Sequence, residues 1–484
     1  MTLSRQLRLA PLQVRTPLGL FSVLWGFGSA LHTLEDQPLD GLFVYPLVAL
    51  LLWFPEELWA IAVFALGHAL LTSLNLPDAA NHSMLAMLVD ATLVIGCLLV
   101  YRRGDAVAPQ RQLWESIKGP LMAVLTVVYF FAVFHKLNTS FFDPAVSCAV
   151  TQPMKMLRIH GFTGAMPDVS RFAPNIYFTL VVETAIIVLL CVRRWTHWGA
   201  LLGLAFHVGL GWARFYDFAT VAFALYLFFF PWADVERRLS GIPRWAGATF
   251  LGGFAGVALC SVVFYGIRDN PVIVRGTGWD FTVVTLQCAF WTLAVLPVLL
   301  PVYRAPVAEP DDALWRGTAI AWAIPVIAVV NGLTSYLGLK TVSNYSMFSN
   351  LRTEGGVTNH LLIPASSLFI ADYQNDLVHV ESYKRAHRGP WPFWIRFTGD
   401  GSPRWRSELP DARIPMVELR RTVQEWQRAG VSRAEVVYER GGVRHEVTNA
   451  FADPELMKPL RPWERRLMAW RAVSADTAAT PCRW

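Results

Sequence analysis

Eleven apolar runs follow one another along the first 340 or so residues: Pro17–Leu34, Gly41–Phe54, Leu58–Leu76, Ser83–Tyr101, Pro120–His135, Pro174–Val192, Trp198–Ala213, Phe218–Trp232, Trp245–Ile267, Phe281–Val302 and Gly317–Leu337. A helix crossing a bilayer needs about 20 apolar residues, so these runs are expected to span or nearly span the membrane. Gly41–Phe54, with Pro46 inside it, is the weakest and fits a re-entrant or interfacial segment as well. After Tyr345 the pattern becomes mixed. His360–Ile370 and Leu377–Tyr383 read as strands, and Val417–Arg428 as an amphipathic helix. Glu435–Arg440 and Val443–Val447 read as a hairpin around Gly441-Gly442, and Trp463–Trp470 as a basic, aromatic helix suited to a membrane surface. The expected fold is therefore an all-α polytopic transmembrane helical bundle of about 11 spans, with a small α+β extracytoplasmic C-terminal domain.

The charges between runs orient this bundle. Arg5, Arg8 and Arg15 place the N-terminus in the cytoplasm; Arg102, Arg103, Arg111 and Lys118 fall on the same side four runs later. Arg193 and Arg194, then Arg237, Arg238 and Arg244, then Arg304 each follow after two more runs. The other face receives Asp36 to Asp40, Pro77 to His82, Lys136 to Ala173, Arg214 to Asp217, Arg268 to Asp280 and everything after Lys340. No small-residue cleavage site follows the first run, which reads as an uncleaved helix.

Composition agrees with a membrane protein. Hydrophobic residues make up 54% and charged residues 16%, against about a quarter charged in ordinary soluble chains. The 20 Trp and 30 Phe suit many helix ends at lipid–water interfaces. The formal charge of +6 is spread over short loops rather than gathered into one patch, which argues against nucleic-acid binding. Cys97, Cys191, Cys260 and Cys288 lie in apolar runs as small hydrophobes; Cys148 and Cys482 alone are placed to meet in an oxidising compartment, and nothing in the sequence requires that they do.

Ionisable residues at or within spans are the first places to look for chemistry. The most unusual run is Phe134-His135-Lys136-Leu137-Asn138, followed by Phe142-Asp143-Pro144 and Ser147-Cys148. A lysine at a helix end ordinarily snorkels to water. Held instead in a low-dielectric pocket, it loses its proton more readily and can act as a general base. Asn81-His82-Ser83 is a second constellation; helix capping explains Asn81 and Ser83 but leaves His82. His207, before Arg214 and Asp217, is a third, as readily an interhelical hydrogen-bonding residue as a ligand. The charge pattern puts Asn81, His82, His135, Lys136 and His207 toward the outer face, where one pocket could hold them. No helix carries two histidines at metal-ligand spacing, so no metal is expected. The runs carry few charges in mid-span, Glu183 being the main exception.

These residues resemble a known family. Phe134-His135-Lys136-Leu137-Asn138 with Phe142-Asp143-Pro144, Asn81-His82-Ser83 and Phe206-His207 is similar to the HTTM domain shared by vitamin K-dependent gamma-carboxylase and many bacterial relatives, over roughly Thr16 to Trp232. Met347-Phe348-Ser349-Asn350-Leu351-Arg352-Thr353-Glu354-Gly355-Gly356 with Asn359-His360 resembles a segment of bacterial members with C-terminal extensions. The implied division is an HTTM-like transmembrane domain over 1–240, additional transmembrane helices over 241–340 and an extramembrane domain over 341–484. The resemblance makes Lys136 the base that deprotonates vitamin K hydroquinone or menaquinol. In the family, the hydroquinone anion reacts with dioxygen to give an alkoxide that takes a γ-proton from a peptide glutamate; carbon dioxide traps the carbanion and the quinone leaves as an epoxide. Asn81 and His82 match the family's Asn-His pair in that chemistry; His207 matches the histidine of its Phe-His pair, a cofactor-binding position by analogy, with His135 beside the base. This chain has Ala80 where the animal enzyme has another asparagine, and His135-Lys136-Leu137-Asn138 where it has Lys-Lys-Leu-Asp. Its part after Lys340 is also much smaller than the animal enzyme's lumenal part.

Three functional readings remain at this level. The first is quinone-linked base chemistry or carboxylation at an outer-face pocket, with membrane lipid and an apolar quinone as partners. The second is a non-catalytic membrane binding or scaffold protein whose C-terminal domain holds a protein or peptide partner. The third, a transporter, expects charged groups deep inside several helices. For Ser349 to His360, a polar loop turning at Gly355-Gly356 stands beside a functional lid, with Arg352 and Glu354 expected as a surface ion pair. The topology is checked by reporter fusions: one inserted between Arg102 and Lys118 should report the cytoplasm. An extracytoplasmic signal there would dissolve the shared outer face.

Overall fold

The structure is a computed structural model that describes residues 8–9, 12–36, 41–77, 79–104, 108–162, 168–268, 279–307, 315–366, 370–387, 411–477 and 479–482. Arg5 and parts of segments assigned above, among them 37–40, 78, 163–167, 269–278, 367–369 and 388–410, lie outside the described residues. The chain divides into two compact units. The first comprises Met1–Leu71, Leu85–Phe130 and Ala149–Ala328; the second comprises Thr72–Met84, Phe131–Cys148 and Val329–Trp484.

In the first unit the apolar runs become helices. After a short hairpin of β1 (Arg8–Leu9) and β2 (Leu12–Gln13) come α1 (Pro17–Asp36), α2 (Gly41–Trp53), α3 (Leu58–Leu74), α4 (Asn81–Arg103) and α5 (Pro109–Phe134), the last three shared with the second unit or ending in it. Five described helical stretches, Asn81–Arg103, Pro109–Phe134, Val169–Cys191, Trp245–Val263 and Phe281–Tyr303, are long and apolar enough to cross a membrane. A sixth joins them if Arg193–Phe229 and Trp232–Leu239, bent by 118° at their junction, count as one. Phe43–Trp53, Leu58–Leu74 and Ala319–Leu333 are apolar but shorter.

Between Lys136 and Ala173, read above only as an outer segment, the chain forms α6 (Thr139–Phe142) and α7 (Cys148–Ile159). There follow α8 (Pro174–Cys191), α9 (Thr196–Leu210), α10 (Tyr216–Tyr226), α11 (Trp232–Leu239), α12 (Arg244–Arg268) and α13 (Trp279–Tyr303). The chain reverses at Arg214, whose φ is +72°, so that Gly203 on α9 lies against the ring of Tyr226 on α10. Helices in lipid associate by close packing over small residues. A Cβ on Gly28 of α1 would stand 2.9 Å from Val221 of α10, and one on Gly253 of α12 would stand 2.5 Å from the Phe290 carbonyl of α13.

Buried polar groups fasten the same helices. Asp90, fully buried on α4, accepts from Trp25 Nε1 on α1 at 3.0 Å and meets His68 Nδ1 on α3 at 2.7 Å. His32 on α1 meets Asp217 on α10 at 3.1 Å, and Gln287 on α13 donates to Ser261 on α12 at 2.7 Å. The expectation that Glu183 is the main mid-span charge is therefore corrected. Asp90 is deeper, and it is tolerated because Trp25 and His68 satisfy both carboxylate oxygens.

Helix α14 (Ala323–Leu333) begins in the first unit and ends in the second, where a long irregular stretch and then a four-stranded antiparallel sheet follow. Its strands are β3 (Leu377–His387), β4 (Arg413–Pro415), β5 (Val431–Arg440) and β6 (Val443–Val447), in the order β4-β3-β5-β6. Gly441 and Gly442 both have positive φ, as a two-residue hairpin connection of the I′ kind demands. Helix α15 (Met416–Arg428) packs Met416, Leu419, Val423 and Trp426, spaced at helical intervals, onto Val378, Val436 and Tyr438 of the sheet.

Two sequence expectations fail in this unit. His360–Ile370 forms no strand among its described residues: His360 makes an isolated bridge to Asn138, and the ring nitrogen of His360 takes the amides of Leu362 and Ile363 that a strand would have offered to a neighbour. Trp463–Trp470 is helical only over α16 (Pro462–Arg466). Beyond it Met468 and Trp470 turn inward against Val417, and the Ala469 carbonyl accepts the amides of Thr341 and Val342.

Cys148 and Cys482 form a disulfide across 334 residues of sequence. Alkylation of the denatured, unreduced protein should therefore leave both thiols unlabelled, and reductant should expose them while Cys97, Cys191, Cys260 and Cys288 label in either case.

Candidate functional site

The second unit gathers an unusual density of buried polar groups around the exit of α5 and the stretch after α14. The helical bonding of α5 tightens at its end: the Lys136 amide bonds Val133 rather than Ala132, which leaves the Ala132 carbonyl vacant. Lys136 fills it, its Nζ donating to that carbonyl at 3.0 Å. The side chain is 3% exposed, so the snorkelling explanation for this lysine does not hold. Donation to the last turn of its own helix replaces it.

Its neighbour His135 is fully buried and points Nε2 at the Gly332 carbonyl, 3.2 Å away in the last turn of α14. A carbonyl only accepts, so Nε2 carries the hydrogen. In the neutral ring Nδ1 is then the lone-pair nitrogen, and among the described residues it has no partner. The hydroxyls of Ser335 and Tyr336, both buried, also lack partners among the described residues. A Cβ on Gly332 would lie 2.2 Å from the Phe131 ring, so only glycine lets that carbonyl stand where His135 needs it.

Asn138 is the hinge of the arrangement. Its Nδ2 donates to the carbonyls of His135 at 2.7 Å and Ser349 at 2.5 Å, while its Oδ1 accepts from the Phe141 amide at 2.8 Å and caps α6. The stretch it holds is strained: Ser343, Tyr345, Phe348 and Asn350 all have φ between 51° and 66°. Non-glycine residues rarely take this region, and each such residue costs on the order of 1–2 kcal/mol. Side chains enforce it. Asn331 Nδ2 donates to the Ser343 carbonyl at 2.8 Å, Ser343 Oγ donates to the Ala79 carbonyl, and Asn350 accepts from the Cys148 amide at 2.8 Å. Asn81 takes part too, its Oδ1 accepting from the Tyr345 amide at 2.6 Å. That oxygen thus serves the strained stretch instead of the first turn of its own helix.

His360 is structural in the same region. Its Nδ1 accepts from Leu362 and Ile363 at 3.1 and 3.2 Å, and Nε2–H donates to the Phe134 carbonyl at 3.0 Å. Burial holds its pKa below the ordinary histidine value, with the Phe134 carbonyl pulling the other way. Arg352 and Glu354, expected as a surface pair, are both buried; Arg352 donates to the Asp476 carbonyl at 2.6 Å and Glu354 accepts from the Thr353 amide. The turn at Gly355-Gly356 is present, both glycines having positive φ.

Of the residues singled out in the sequence, Asn81, His82, His135 and Lys136 belong to this unit, His82 being half-buried. His207 belongs to the first unit. There it is buried, with Nδ1 at 3.1 Å from the Gly203 carbonyl and its ring 3.5 Å from the hydroxyls of Tyr129 and Tyr226, which lie 2.5 Å apart. Sequence reasoning missed Tyr336, Asn331 and Lys340. No local pattern marks those three; the run of Asn and Ser through Asn344–Asn350 signals only the polar stretch that Asn331 holds. The chain matches no protein-family model, no curated protein and no solved structure.

Lys340 is 6% exposed, and burial pushes its pKa down to about 8. Between pH 8 and the unfolded value near 10.5 the unfolded chain binds the extra proton, so stability rises with pH across that window and the penalty is fully present below it. The Lys340→Met protein should therefore unfold at a higher temperature at pH 7, with a gain of up to about 3 kcal/mol that shrinks toward pH 10. Equal gains at pH 7 and pH 10 would show that charge burial is not the cause.

Proposed function

We propose that this chain is an HTTM-type integral membrane protein whose buried polar site around Lys136 binds an apolar quinone and performs base chemistry on its reduced form. The proposal includes eleven spans, a cytoplasmic N-terminus and an extracytoplasmic region after Lys340. The Cys148–Cys482 disulfide supports that side, since such bonds persist in oxidising compartments. The observation that carries the reading is the buried Lys136 beside a histidine with an unused nitrogen, with Asn138 tying the His135 carbonyl to a strained, polar stretch. Strain and unsatisfied buried groups concentrate where function requires them.

The residues present suit a hydroquinone. Phe131, Phe134, His135, Tyr336 and His360 bring aromatic faces together, with ring centroids 4.6 to 5.8 Å apart for Phe134–His360, Phe131–His135, His135–Tyr336 and Phe134–Tyr336. The amide nitrogen of Asn81 is left as a hydrogen-bond donor once its oxygen has gone to Tyr345. A bound hydroquinone would supply the acidic hydroxyl and, with dioxygen, the strongly basic species that carboxylation requires. The protein's part would be to hold the Lys136 amine against the hydroxyl as the accepting base and to exclude water around it. Glutamate carboxylation is one outcome of such a site.

A non-catalytic binding or scaffold role is the competing reading, favoured by the capping bond from Lys136 to Ala132. The two part on one experiment. In the first reading Lys136→Ala stays folded by gel filtration and loses at least about 100-fold in hydroquinone-dependent oxygen uptake or epoxide formation. Unchanged turnover would remove Lys136 from the mechanism; a change in stability alone, with no quinone in the purified protein, would favour the scaffold.

A further inference from the structure

We infer that Leu361, Leu362 and Ile370, beside the exit of α5, form an interfacial anchor that sits at the headgroup–acyl boundary of the lipid leaflet where that helix ends. The inference rests on the membrane placement of α5 and is independent of the quinone reading. The three side chains are 54, 64 and 73% exposed, and Pro364 between them is exposed too. From Gly355 to Ala371 the sequence holds no Asp, Glu, Lys or Arg, so the run carries no fixed charge to keep it in water. Its one histidine, His360, has both ring nitrogens engaged within the protein. Clustered exposed apolar side chains of this kind mark a surface that something apolar covers.

The backbone fixes where the anchor stands. Leu361 donates its amide to the Leu137 carbonyl at 2.8 Å, just beyond the end of α5, and Ile370 donates to the Leu337 carbonyl at 3.2 Å, just beyond α14. The His360 ring takes the amides of Leu362 and Ile363 at 3.1 and 3.2 Å. The amides of Leu361, Leu362, Ile363 and Ile370 are thus all bonded inside the protein. Irregular backbone cannot face lipid with unpaired donors, so this is the condition a non-helical segment must meet before its side chains enter the leaflet. The helix it is tied to, α5, is one of the stretches long and apolar enough to cross a membrane, and α14, which leads to Leu337, exposes Val329 and Val330 of its own. A surface that begins where two apolar helices end continues their lipid-facing sides, which makes lipid its occupant.

The test uses the full-length protein carrying photoreactive p-benzoylphenylalanine at one position, reconstituted into phosphatidylcholine vesicles, irradiated and read by mass spectrometry. The probe at Leu361, Leu362 or Ile370 should give phospholipid adducts, as should the probe at Phe130, an exposed residue of α5. At Val443, 58% exposed on β6 and next to Arg444, it should give none. Adducts at Phe130 with none at the three anchor positions would overturn the anchor and leave the span standing; none at Phe130 would overturn both. A crosslink joining two copies of the chain through Leu362, or an equal lipid yield at Val443, would also overturn the inference. If the Leu362 variant does not fold, the Leu361 and Ile370 variants decide it by the same readings.

Discussion

Fully buried Asn138 makes four hydrogen bonds with one side chain, donating to the His135 and Ser349 carbonyls and accepting from the Phe141 amide and the Asn359 side-chain amide. Everything proposed for the second unit depends on that amide group. It ends α5, starts α6 and fixes the strained stretch that contains Ser343 to Asn350. Losing it would strand several buried backbone groups at once, each costing about 1–3 kcal/mol when left unpaired. An aspartate in place of Asn138 would not do the same. A carboxylate accepts but cannot donate, so it could not bond the two carbonyls that Asn138 Nδ2 serves. The local architecture around His135 is thus tied to the amide this chain carries.

The first unit uses the same economy in a different setting. Apolar helices gain little from burying apolar surface against one another in lipid, so packing over glycines and a few polar pins must hold them. Asp90 joins three helices through Trp25 and His68, and the His32–Asp217 pair joins α1 to α10. A carboxylate in mid-helix looks like a functional group in the sequence. Here both its oxygens are satisfied by partners on other helices, as a fastening requires. The hydroxyls of Tyr129 and Tyr226 around His207 form another such buried polar cluster.

The candidate site was legible in part. His135, Lys136 and Asn81 stood out because polar residues at the ends of apolar runs are expensive, and the structure gathers them in the second unit. What they do there was not legible. Lys136 looked like a snorkelling cation and is a buried helix cap; Asn81 looked like a cap for its own helix and instead receives the Tyr345 amide. Tyr336 and Lys340 carried no sequence signal, since each is an ordinary residue until the fold buries it. Arg352 and Glu354 show the reverse case: a charged pair two residues apart reads as solvated surface, and burial by distant chain segments turned it inward.

By itself, the sequence determined that this chain is built from apolar helices, where most of them begin and end, and that a smaller sheet-containing region follows. Hydrophobic periodicity and glycine turns are local properties, written in consecutive residues, which is why the β5–β6 hairpin and α15 were also readable. Tertiary structure alone decided the disulfide between Cys148 and Cys482, the failure of His360–Ile370 to become a strand, and the unused nitrogen of His135. The first and the last depend on which group meets which across more than a hundred residues of chain, and the second on where the fold leaves the His360 ring. Hydrogen bonding and burial act on those meetings, and a linear pattern does not record them.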